Sequence, residues 1–127
     1  MKDFRDLQVW HKAHQVVLDI YRDTNLFPPD ERFGLIAQLR RSAASIPANI
    51  AEGCGRQGDG DFNRFLQIAM GSACEAEYHL LLARDLHYLT AERYEHLVDG
   101  ISEVKKMLAG LIVRVGGDRF RAKAAAP

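Results

Sequence analysis

Along four stretches of the chain, apolar residues recur at intervals of three and four, the spacing that gathers them on one side of an α-helix. The first stretch runs from about Leu7 to Asn25. Trp10, Ala13, Val17, Ile20 and Tyr21 form its apolar stripe, and Lys12, Gln15, Asp19, Arg22 and Asp23 form its polar face. It ends ahead of Pro28, whose ring forbids continuation. The second starts near Pro29-Asp30-Glu31, with proline in the first turn and acids at the positive helix end. Leu35, Leu39, Ala43, Ile46 and Ile50 line one face of it, and Gly53 serves as its C-cap. Pro47 lies inside this pattern; it removes one hydrogen bond and crowds the carbonyl of Ala43, which predicts a kink.

The third stretch, about Asp61 to Leu89, keeps Phe62, Phe65, Leu66, Ala69, Ala73, Ala76, Leu80 and Ala83 in one stripe. Thr90 caps the fourth, with Glu92 in its first turn. Tyr94, Leu97, Val98, Ile101, Val104, Leu108, Leu111, Ile112 and Val115 follow at helical spacing. No segment offers strand alternation of comparable length. Helices of similar length joined by short connections make antiparallel neighbours. The expectation is an all-α protein, an up-down-up-down antiparallel four-helix bundle, with one domain over residues 1–117 and a flexible basic tail at 118–127.

At 127 residues the chain can bury about two thirds of its unfolded surface, enough for a core without staples. The two cysteines, Cys54 and Cys74, do not have C-x-x-C spacing, so reduced thiols and a cytoplasmic location are expected. The charged N-terminus does not read as a signal peptide, and no apolar run approaches the ~18 residues of a membrane span. Formal net charge is zero, but residues 75–103 hold seven acids against two bases, whereas residues 104–127 hold six bases against one acid. That split marks either a basic tail for an anionic partner or two solvated faces that attract each other.

Catalytic signals are weak. Glu75 with His79 and Glu92 with His96 stand four apart, not at the three-residue spacing of bundle di-metal sites, and read as surface pairs. His11 and His14 read as solvent-facing or packed, with no carboxylates to complete a metal site. Gly53-Cys54-Gly55-Arg56 is too short for a phosphate cradle, and no histidine is in view to activate Cys54. Neither catalysis nor a cofactor is expected.

The second helix carries more than one buried-type face. Beside its stripe lie small residues, Ala37, Ala44, Ala48 and Ala51, and a polar row, Arg41, Ser45, Asn49 and Glu52. Two readings stand: alanine is a strong helix former that meets water here, or these residues admit a second helix closely and form a subunit interface. Arg41 and Glu75 both fall among small or apolar positions, which predicts that they are buried and joined.

Phe4-Arg5-Asp6-Leu7 with Val9-Trp10-His11-Lys12-Ala13, Phe27-Pro28 with Glu31 and Gly34-Leu35, and Gln38 through Gly53 together resemble a known family. It is the bacterial four-helix bundle proteins encoded in intervening sequences of large ribosomal RNA genes. Phe62, Arg64-Phe65-Leu66, Ile68-Ala69, Gly71-Ser72, Glu75 and Glu77 extend the match, which covers about residues 4–89. The family is similar to, and includes, the accessory variability proteins of diversity-generating retroelements. The resemblance implies a barrel-like homopentamer and, as partners, RNA or DNA, a reverse transcriptase or another protein. It favours the interface reading of the second helix. Trp10, Pro47, Gly71 and Glu75 are expected to be structural. Two departures stand out: Gly58-Asp59-Gly60-Asp61 replaces a serine and lysine common in relatives, and His87 stands where glycine is common. The first weakens phosphate contact through that loop.

The expected function is therefore a non-enzymatic, homo-oligomeric bundle acting as a nucleic-acid accessory protein. Arg40, Arg41, Arg56, Arg64 and the tail residues Arg119, Arg121 and Lys123 are its candidate phosphate contacts. The alternative is an interaction or assembly module that does not bind nucleic acid.

Overall fold

The computed structural model describes the backbone of residues 3–125 and the side chains of residues 3–117. A 3-10 turn at Phe4–Asp6 precedes α1 (Gln8–Thr24); a second, Pro29–Glu31, precedes α2 (Leu35–Cys54), and α3 (Asp59–Asp85) and α4 (Ala91–Ala125) complete the order. The expected start of the second helix is thus a separate turn. Its chain bends at Gly34, and α2 begins beyond it, where the Leu35 amide donates to Glu31 Oε1 at 3.2 Å. α2 runs through the buried Pro47 without interruption and ends past Gly53, with Gly55 as its C-cap. α4 continues beyond Gly116-Gly117; the side chains of the expected tail, Arg119, Arg121 and Lys123 included, lie outside the described residues.

Each helix packs on the next in sequence, and α1 also packs on α4, so the four close a square. Cross-links set the directions. Thr24 meets Arg40, Ser45 meets Ser72, Glu77 meets Lys105, and Asp23 meets Arg93 while Lys12 meets Glu103. Late α1 meets early α2 and early α4, the middle of α2 meets the middle of α3, and the later half of α3 meets α4 ahead of its midpoint, the antiparallel register of an up-down-up-down bundle.

The stripes of α2 and α3 are buried at all the expected positions, and in α4 Leu97, Ile101, Val104, Leu108, Leu111 and Val115 are buried. Alanines at 69, 73, 76 and 83 thin the α3 stripe, and α2 with α3 makes the most extensive helix contact of the bundle. In α1 the buried face lies to one side of the expected stripe. Val9 and Val16 are in the core, Tyr21 is 42% exposed, and Asp23, placed on the polar face, is buried. Burial of Asp23 is possible because Arg93, at the start of α4, donates to it from Nε (3.0 Å) and from a terminal nitrogen (2.8 Å). That contact raises the Arg93 pKa above its ordinary value.

Candidate functional site

The outward side of α2 and the neighbouring side of α3 hold most of the residues singled out from sequence. Ala37, Arg41, Ala48 and Glu52 are exposed; Ala44, Ser45, Asn49 and Ala51 are half-buried. A polar seam runs between the helices. Ser45 Oγ and Ser72 Oγ are 2.8 Å apart, and the Asn49 amide donates back to the Ser45 carbonyl and hydroxyl, each at 2.8 Å. Small hydroxyl side chains close this seam without bulk, so the surface above it stays low.

Arg41 and Glu75 do meet across the seam, at 3.6 Å, but they are not buried: their side chains are 72% and 47% exposed. A pair this open contributes at most about 1 kcal/mol within one chain. Beneath it lies a contact that sequence spacing misassigned. His79, read as half of a surface Glu75/His79 pair, is buried, with Nδ1 3.2 Å from Ser42 Oγ, which also reaches the Leu39 carbonyl at 3.1 Å. Burial lowers the His79 pKa; Glu75 opposes the shift and Arg41 adds to it. A serine at 42 inside an otherwise apolar α2 face was the available signal for a buried polar partner.

On α3, Ile68, Gly71, Glu75 and Tyr78 follow at spacings of three and four, all exposed. Gly71, marked as structural, has open space where a Cβ would stand, so nothing within the chain requires glycine there. Its effect is to flatten the surface beside Ser72. Trp10 does have a structural place: its ring packs on Phe4 at 4.8 Å and stacks on His14 at 5.0 Å.

The candidate phosphate contacts fare differently from one another. Arg40 is committed to α1, donating to Thr24 Oγ1 (2.8 Å), the Tyr21 carbonyl (3.3 Å) and Asn25 Oδ1 (3.0 Å), with its guanidinium 4.5 Å above the Tyr21 ring. It is a structural clamp between α1 and α2, not a free cation. Arg56 pairs with Glu52 at 2.8 Å and Arg64 with Asp61 at 3.0 Å, and both lie over the Phe65 ring. These arginines cover a buried phenylalanine and are each balanced by a carboxylate three or four residues earlier in the chain.

Among the described residues, no cluster of three His, Cys, Asp or Glu side chains is placed to hold a metal ion, and no helix is long and apolar enough to cross a membrane. Fold and surface together define a class: a four-helix bundle with a filled core and a low, small-residue face turned outward. The chain belongs to the 23S rRNA-intervening sequence protein family, whose model matches residues 5–110. Among solved structures it is similar to a protein of unknown function from the S23 ribosomal protein family of Bacteroides thetaiotaomicron VPI-5482. The two are 33% identical, the match covers 82% of this chain and 97% of that one, and the TM-score is 0.76. There is no match among curated proteins.

Proposed function

We propose that this chain is a non-enzymatic self-assembling bundle, in which the outward face of α2 and α3 docks further copies of itself. The observation that carries the reading is the outward row of exposed Ala37, Arg41 and Ala48 with half-buried Ala44 and Ala51, flanked on α3 by the exposed Ile68, Gly71 and Tyr78. Small side chains let a second backbone approach closely, the two exposed apolar residues supply area to bury, and Arg41 with Glu75 offers a pair that can exchange partners between copies. The resemblance noted from sequence points to five copies. Contact with nucleic acid has weaker support, because Arg40, Arg56 and Arg64 are all engaged within the chain.

Light scattering after size exclusion tests the proposal. The parent protein at micromolar concentration is expected to elute as a homo-oligomer, and Ala48→Glu, at an exposed position, as a folded monomer. A monomeric parent overturns assembly; an Ala48→Glu oligomer of parental size overturns the assignment of the face.

A further inference from the structure

Lys106 and Arg114 are set apart by the pattern of ion pairing. Among the described residues, every lysine or arginine has an acid within 4.0 Å except Arg32, Arg40, Lys106 and Arg114. Arg40 is held by α1, and Arg32 lies 5.9 Å from the Phe33 ring. Lys106 and Arg114 remain, and both line the same cleft, about 470 Å³ in volume, between the start of α1 and the middle of α4. Cavities of ~300–1,000 Å³ are the usual size for small-ligand sites.

The walls of this cleft are chemically divided. Leu7, Val9, Met107 and Leu111 supply apolar surface, while Lys106 and Arg114 stand eight residues apart on α4, roughly 12 Å along its axis. Gly110 lies midway between them, and a Cβ there would meet nothing within 4 Å, so the wall between the cations is flat and open. One acid, Asp6, shares the lining, against the two cations. The first turn of α1 also borders the cleft with no side-chain cap on it, which adds positive potential to what the two side chains supply.

We propose that this cleft binds a small organic phosphate, its anionic group held by Lys106 and Arg114 and its apolar or aromatic body laid against Leu7 and Met107. A phosphate suits two separated cations because it carries nearly two negative charges and three outer oxygens, so it accepts from both at once. A free nucleotide offers this monoester, whereas an internal linkage of a nucleic-acid chain offers a phosphodiester with one negative charge and two outer oxygens, which can also accept from both cations. The proposal does not depend on self-assembly, since Lys106 and Arg114 are on α4, away from the α2–α3 face.

The test is a titration of the full chain at low salt, with fluorescent N-methylanthraniloyl-AMP as one probe and labelled octauridylate as the other, each competed with inorganic phosphate. Saturable binding that weakens with salt is expected. Lys106→Glu and Arg114→Glu, both at exposed positions, are each expected to weaken it about tenfold or more, the effect of losing one charge-assisted bond. Gly110→Phe fills the cleft with both charges kept and should abolish binding, while circular dichroism shows the fold retained. Tighter binding of octauridylate, lost in the same variants, assigns the phosphate to a nucleic-acid chain in this cleft; equal or tighter binding of the nucleotide assigns it to a free molecule. Absence of binding by both probes, or binding unchanged in the glutamate and Gly110→Phe variants, overturns the proposal.

Discussion

His87 is the one non-glycine residue with a positive φ, +65°, among those described, and it ends α3. Its amide donates to the Arg84 carbonyl and that of Tyr88 to the Ala83 carbonyl, both at 2.9 Å, the pairing by which a left-handed residue closes a helix. A side chain in that conformation crowds its own carbonyl, a strain that glycine avoids. His87→Gly is therefore expected to raise the unfolding free energy by about 0.5–1 kcal/mol in urea titration. A lower midpoint would mean that the imidazole makes a stabilising contact. His79 predicts a pH dependence. Its folded pKa lies below the ordinary value near ~6.5, so the native state prefers the neutral ring and the unfolded chain takes up the proton first. The associated stability is fully present above pH ~6.5 and is lost as pH falls from there toward the depressed folded value. Thermal melts across that window should show a decline in the parent that is smaller in His79→Gln; identical profiles would place the charge change elsewhere.

Gly53 lies where α2 and α3 make the most extensive helix contact of the bundle. A Cβ at Gly53 would stand 2.9 Å from the Phe65 Cβ and 3.1 Å from Phe62 Cδ1, inside a buried crossing with no flexible side-chain end to yield. In a helix interior, glycine to alanine ordinarily gains up to about 1 kcal/mol, but overpacking a close crossing costs ~1–3 kcal/mol, so the steric term wins. Gly53→Ala should lower the chemical denaturation midpoint; a stabilised variant would show that the helices can separate at no cost. The glycine reads from sequence as a cap because it precedes Cys54-Gly55 at the end of an apolar pattern. Its position one turn inside the crossing is set by Phe62 and Phe65, on a different helix.

At the scale of the whole molecule, the single bundle already buries its apolar stripes, and among the described residues no further helix covers the outward α2–α3 row. If that row joins copies, folding and association are linked, and the apparent melting temperature must rise with protein concentration. Dilution over about two decades should lower it in the parent and leave Ala48→Glu unchanged; a concentration-independent parent melt would count against the coupling. What the sequence determined by itself was the class of fold, the four helices and nearly all the core of α2, α3 and α4, because a 3.6-residue period and the need to bury apolar area are properties of one element at a time. Tertiary structure decided everything that depends on how elements align. Tyr21 rather than Val9 seemed to face the core, Asp23 seemed solvated until Arg93 arrived from the far end of the chain, and Arg40 seemed free until α1 and its C-cap Asn25 supplied three acceptors. The same alignment pairs Lys105 with Glu77 and leaves Lys106 without an acid. A charge finds its partner through the register between helices distant in sequence, and periodicity along one helix carries no information about that register.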